Sequence, residues 1–190
     1  MQSHFFARFQ TTLSLGIVSV FQVAVYRALK KLGYYRWRTP MGATPGQGSL
    51  LGHPGAPLFD RQNKAAVAPA DLARSGEVAI FGGQSYKTGS PPAWQTNRAD
   101  GQSSTFSGEH WSRIPDFDAE FGDIKLVWEL SRFQWILLFT RAYLQTGNNK
   151  YIESANEWAR DWLEHNPVNS GLNWMCGQET SIRLVHVLLS

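Results

Sequence analysis

Two segments of this 190-residue chain gather the residue types that handle an anionic, hydroxyl-rich ligand. The first runs Gly122-Asp-Ile-Lys-Leu-Val-Trp-Glu-Leu-Ser-Arg-Phe-Gln-Trp135. Trp128, Glu129 and Arg132 fall within about one helical turn, and Glu129 and Arg132, at i and i+3, can pair. An indole stacks on a pyranose face while a guanidinium takes a carboxylate or sulfate in a bidentate grip. The alternative is a core tryptophan beside a surface ion pair. The second segment is Gly171-Leu-Asn-Trp-Met-Cys-Gly-Gln-Glu-Thr-Ser-Ile-Arg183. Asn173 and Trp174 precede a helix whose first turn carries Gln178 and Glu179, where an acid suits the dipole. Arg183 stands four residues after Glu179, in pairing register. Polar groups at a helix N-terminus can hold an anionic sugar, or they simply cap the helix.

A third segment combines Phe81-Gly82-Gly83, Pro91-Pro-Ala-Trp94 and His110-Trp111. A lone histidine in a loop is more often structural than functional. Cys176 and His186 lie ten residues apart on or beside one helix, which does not bring a thiol to an imidazole. No HExxH, CxxC, P-loop or GxSxG pattern occurs. No cluster of metal ligands is visible, and no cofactor is implied.

The elements that must position these groups are mostly helical. Residues 8–32 read as a helix with Gly33 as its C-terminal cap. The Gly- and Pro-rich stretch 39–57 reads as a loop. Residues 63–75 predict a short helix interrupted or started by Pro69, and Glu77 to Phe81 a short strand closed by Gly82-Gly83. Residues 84–122 are rich in turns, yet Trp94, Phe106, Trp111 and Phe117 punctuate them. Aromatics in such a loop imply that it packs down onto the helices that follow.

From Asp123 onward, Trp128, Arg132, Trp135, Phe139, Ala142 and Tyr143 recur at helical spacing up to Thr146-Gly147. Tyr151, Ala155, Trp158, Ala159 and Trp162 predict a second helix, stopped by Asn166-Pro167. The short connection makes the pair an αα-hairpin. A third helix starts near Gly177, with Ile182, Val185, Leu188 and Leu189 as its apolar face. The expected organisation is a helical segment 1–38, a Gly/Pro-rich linker 39–62 and a mainly α domain over 63–190. The third helix lacks a partner for its apolar face, which reads as truncation of a longer stack of hairpins.

Composition sets the class. Hydrophobic residues make up 43% and charged residues 17%, enough for one packed domain. Seven of the eight tryptophans lie between Trp94 and Trp174, so the second half is the packed part. The net charge of +3 fits an anionic substrate and is too weak to argue for nucleic acid. The single cysteine excludes an internal disulfide framework. Leu13 to Val25 is apolar but is followed by Arg27, Lys30, Lys31, Arg36 and Arg38 rather than a cleavage site. It is shorter than the roughly 20 apolar residues of a comfortable membrane span. It reads as an amphipathic helix, with an uncleaved anchor or signal as the alternative.

Taken in order, several spaced motifs resemble the N-terminal domain of heparinase II/III family proteins. They are Asp123-Ile-Lys-Leu-Val-Trp-Glu-Leu-Ser-Arg-Phe133; Ala142-Tyr143 with Thr146-Gly147 and Tyr151; Asn166-Pro167; and Gly171-x-Asn-Trp-x-x-Gly-Gln-Glu-x-x-Ile-Arg183. Pro91-Pro-x-Trp94 and His110-Trp111 fit the lead-in of that domain. The resemblance covers residues 70–190. It implies part of an incomplete (α/α) toroid, followed in full-length relatives by β-sandwich domains. It implies a bacterial polysaccharide lyase acting by β-elimination on uronic-acid glycans, in the periplasm or cell envelope, with the cytoplasm left open.

In that chemistry an Asn neutralises the uronate, a Tyr or His removes the C5 proton and a Tyr protonates the leaving oxygen. None of those catalytic residues matches a position here; they would lie beyond residue 190. The residues carried over bind substrate or shape the cleft: Trp128, Glu129, Arg132, Asn173, Trp174, Gln178, Glu179 and Arg183. Relatives that degrade heparan-like chains show Asn-Arg-His where this chain has Ser131-Arg132-Phe133. That difference resembles members associated with capsule or surface-polysaccharide biosynthesis.

Two other classes stand beside the lyase. One is a relative that binds polysaccharide without cleaving it. The other is a helical-repeat scaffold, since Tyr143-Leu-x-Thr-Gly-x-x-x-Tyr151-x-x-x-Ala155 echoes a tetratricopeptide hairpin. Such repeats recur about every 34 residues, and that shift lands on Gly177 to Leu189, where the pattern does not recur.

Overall fold

The computed structural model describes residues 16–42, 51, 65–97, 101–115 and 121–190. The chain divides into two compact units, Met1–Pro40 and Met41–Ser190. The architecture is mainly helical, with seven α-helices and one two-stranded sheet among the described residues.

In the first unit, α1 (Ile17–Lys31) is followed by α2 (Tyr34–Arg38). Gly33 sits between them in the left-handed region, at φ 78°, where a residue without Cβ is unstrained. It therefore ends the helix where its position suggested. Residues 8–15 of the expected helix lie outside the described residues.

The second unit begins with isolated hydrogen bonds from the linker. Gly42 N donates to Val168 O at 2.9 Å. Leu51 exchanges two hydrogen bonds with the Asn156 side chain, at 2.8 and 3.1 Å. Gly42 and Leu51 of the expected linker are thus clipped to the body; residues 43–50 and 52–62 of it lie outside the described residues. α3 (Val67–Arg74) carries Pro69 in its first turn, where the missing N–H costs no intrahelical bond. Its Ala70 and Ala73 are fully buried, and their small side chains let α3 pack closely on α5.

β1 (Glu77–Ile80) pairs antiparallel with β2 (Gln84–Lys87). β2 falls within the stretch expected to be turns, because Gln84-Ser-Tyr-Lys87 has little apolar alternation. It forms because the turn at Phe81, Gly82 and Gly83, all with positive φ, folds the chain back on itself.

The helix expected from Asp123 to Thr146 is instead three pieces: α4 (Lys125–Trp128), a 3-10 turn (Leu130–Arg132) and α5 (Gln134–Thr146). The break is at Phe133, which adopts φ 68°, ψ 21°. An L-residue pays for that conformation; here burial repays it. The Phe133 ring meets Trp162 edge-on at 4.8 Å and Trp135 at 5.1 Å. Periodicity alone cannot register such a kink, since the apolar spacing continues across it.

α5 and α6 (Lys150–His165) form the expected hairpin. Gly147 caps α5 in the left-handed region, donating to Tyr143 O at 2.6 Å. Tyr151, Ala155, Trp158, Ala159 and Trp162 are all buried. A 3-10 turn (Leu172–Trp174) leads to α7 (Gly177–Leu188). Here the apolar face expected to lack a partner lies outward. Val185, Leu188 and Leu189 are exposed, while Glu179 and Arg183 are buried. The polar stripe of α7, not its apolar one, faces the body.

Candidate functional site

The buried polar side of α7 meets a charge network built from both motif segments. Arg132 extends from the 3-10 turn before the Phe133 kink. Its Nε and Nη2 donate to the two carboxylate oxygens of Glu179, each at 2.8 Å, while Nη1 pairs with Glu129. The expected i, i+3 pair is therefore present. The expected Glu179–Arg183 pair is not: Glu179 turns to Arg132 across the fold, because the bidentate fork satisfies a buried carboxylate better than a neighbour on its own helix. The hydrogen bonds from Arg132 to Glu179, with the nearby charge of Glu129, raise the Arg132 pKa against the cost of burial. His186 Nδ1 donates to Arg132 O at 2.5 Å, tying the middle of α7 to the same turn.

Arg183 has a different environment. Its guanidinium lies against the neighbouring Trp162 and Trp174 rings, 5.1 and 5.3 Å from their centroids, making a cation–π contact with each. Nη2 donates to Asn173 O at 2.7 Å and to Thr180 Oγ1 at 3.0 Å. Burial pushes its pKa down to about 10, with Glu179 opposing the shift, so the group stays charged at neutral pH.

Both tryptophans of interest are half-buried and fastened to the same stretch of chain. Trp128 Nε1 donates to Leu172 O at 2.9 Å, and Trp174 Nε1 to Asn166 O at 3.1 Å. Gly171, at φ 77°, starts the turn between those anchors; an added Cβ would stand 3.0 Å from Gln95 Nε2. The loop 107–111 clamps this turn from outside, through Gly171 N to Glu109 O at 2.8 Å and Trp111 N to Asn169 O at 3.1 Å.

The structure thus gathers these residues into two bonded groups, Glu129–Arg132–Glu179 and Asn166–Asn173–Trp174–Arg183, with Trp128 fastened to Leu172 beside the second. Gln178 stays apart, exposed on α7. In the third segment, Trp94 is buried and donates to Asp161 at 2.6 Å, and His110 is buried with Nδ1 2.8 Å from Ser112 Oγ. Trp94 holds the loop onto α6, and His110 caps the short turn Trp111–Arg113 within the loop. The loop therefore packs down as its aromatics implied.

Sequence reading missed the hub of the second group, Asn166. Its Oδ1 accepts from Gln95 at 2.5 Å and Asn173 at 2.8 Å, and its Nδ2 donates to Trp162 O at 2.8 Å. The Asn-Pro pair marked only a helix stop, and nothing in its spacing pointed to Gln95. Around this hub, among the described residues, Gln95 Oε1, Asn173 Oδ1 and Arg183 Nη1 are buried without a hydrogen-bond partner. Three unmet polar atoms on one network are uncommon in a settled interior.

A hollow of about 980 Å³ lies between α3, the β-hairpin and α5. Leu72, Val78, Ile80 and Leu138 give it apolar walls, and Glu129 and His186 reach its lining. Trp128, Asn173, Trp174 and Arg183 do not. The assembly consequently offers aromatic edges and a compensated charge network rather than a deep pocket. No protein-family model, no curated protein and no solved structure matches this chain.

Proposed function

We propose that this chain is the helical, substrate-positioning part of a heparinase II/III-type polysaccharide lyase. It would contribute part of an incomplete (α/α) toroid that holds a uronic-acid glycan for β-elimination. In that reaction the C5 proton leaves as the C4–O bond breaks, and the electron pair forms the C4=C5 double bond of an unsaturated uronate. The acid and base would come from outside these 190 residues, together with a β-sandwich domain.

One observation carries the reading. The two segments that resemble the family are bonded to each other, through Arg132 to Glu179 and Trp128 to Leu172, and leave two tryptophans half-buried. Half-buried indoles stack on sugar rings. Because Arg132 and Arg183 are committed to internal partners, they hold the framework around those rings, and the stacking falls to Trp128 and Trp174. Ser131-Arg132-Phe133 favours a surface-polysaccharide substrate over heparin, and binding without cleavage is the second reading.

The test has two arms on the 190-residue chain. It releases no ultraviolet-absorbing unsaturated uronate from acidic polysaccharides, and robust release would refute the assignment of catalysis elsewhere. It binds acidic glycans, and Trp128→Ala weakens that binding about tenfold, as loss of a stacking contact of about 1.4 kcal/mol would. Equal affinity in Trp128→Ala and in the control Gln178→Ala would sink the proposed platform.

A further inference from the structure

The first unit carries a separate signal. Residues 1–59 hold six Lys and Arg and no Asp or Glu, whereas residues 60–190 hold twelve against fifteen. The positive net charge of the chain therefore belongs wholly to its N-terminal third. Within that third, α1 has no buried residue. At 100° per residue, Ile17, Val18, Phe21, Val25, Leu29 and Leu32 share about one third of the helix circumference. Ile17 is 87%, Phe21 67% and Leu32 81% exposed. Ser19, Val23, Tyr26, Arg27 and Lys30 occupy the far side, with Gln22 and Lys31 flanking the arc.

α2 continues the pattern. It is Tyr34-Tyr-Arg-Trp-Arg38, with Trp37 75% exposed. Tyr34 lies 5.5 Å from Tyr35 and 6.2 Å from Trp37, and the Arg38 guanidinium is 6.0 Å from the Trp37 ring. Amphipathic aromatics interleaved with cations are what the headgroup layer of a bilayer selects.

We propose that residues 17–38 form a surface anchor lying in the plane of an anionic bilayer. The apolar arc sinks to the acyl boundary, Tyr34 and Trp37 sit at headgroup depth, Lys31, Arg36 and Arg38 meet lipid phosphate, and Arg27 and Lys30 add their charge from the outer side. The charge decides between occupants. A second copy of this segment would bring five cations against five with no acid to answer them. No helix of the described residues is long and apolar enough to cross a membrane. The inference is independent of the glycan reading.

The experiment is sedimentation of the full chain with vesicles of phosphatidylcholine, with and without phosphatidylglycerol. The chain is expected to bind the anionic vesicles at least about tenfold more tightly than the neutral ones, and to come off in high salt. Lys30→Glu with Lys31→Glu lowers anionic binding by about tenfold or more. Phe21→Glu with Val25→Glu abolishes it. Unchanged near-ultraviolet circular dichroism from the second unit checks that each variant folds. Equal binding to both vesicles, no binding, or retention in high salt would each overturn the anchor. So would lipid-free oligomers dispersed by the Phe21 and Val25 substitutions in a chain that ignores vesicles.

Discussion

At the scale of single residues, Glu179 shows how burial sets the worth of a charge. Its carboxylate is 4% exposed and answered twice by Arg132. Glu179→Ala leaves Arg132 with Glu129 alone and is expected to cost about 3 kcal/mol. The exposed pair Arg113–Glu109, at 3.7 Å, has the same charges in water, and Arg113→Ala should cost less than about 0.5 kcal/mol. Urea denaturation of both variants checks the contrast; similar costs would mean that the buried network is not a structural keystone. Glu129 with Arg132 was legible because i, i+3 spacing fixes it locally. The link from Arg132 to Glu179 spans 47 residues, and no local pattern encodes which of two acids a guanidinium will choose. Asn166 was illegible for the same reason, since its partners arrive from Gln95 and Asn173.

At the scale of elements, the kink at Phe133 decides where Arg132 points. A continuous helix from Asp123 would carry Arg132 on in α-helical register; the left-handed residue instead ends one helical stretch and starts another. Phe133 combines a strained backbone with a buried ring, and the two can be separated. Phe133→Ala loses the ring and keeps the strain, costing about 3 kcal/mol. Phe133→Gly loses the ring but relieves the strain, and is expected to be more stable than the alanine variant by about 1 kcal/mol. In an uninterrupted helix the order would be reversed. The hairpin α5–α6 was readable because its apolar spacing and its Gly147 cap agree. α7 was only half readable: its extent and its unpartnered Val185, Leu188 and Leu189 follow from the pattern, but the burial of Glu179 and Arg183 does not.

At the scale of the whole molecule, stability couples elements far apart in sequence and should depend on pH. Asp71 on α3 accepts from Lys150 Nζ at 2.8 Å and Tyr151 Oη at 3.1 Å on α6. The Lys150 hydrogen bond, with Tyr151 adding to it, holds the Asp71 carboxyl below its ordinary value despite some cost of burial. A lowered folded-state pKa contributes stability above about pH 4, and that contribution is lost as pH falls through the folded value. Asp71→Asn is therefore expected to melt below the parent at pH 6, with the difference closing as the pH drops under 4. A gap in melting temperature that is constant across this range would remove Asp71 from the account of acid stability.

The tryptophans have an optical consequence. Trp94, Trp135 and Trp158 lie 5.4 to 6.0 Å apart, centroid to centroid, at fixed tilts. Transition dipoles that close and that rigid exchange excitation, so the interior behaves as one chiral chromophore rather than three. Its split bands report on the geometry of all three rings at once, and a slip of one ring by an ångström would change their sign or size before any helix was lost.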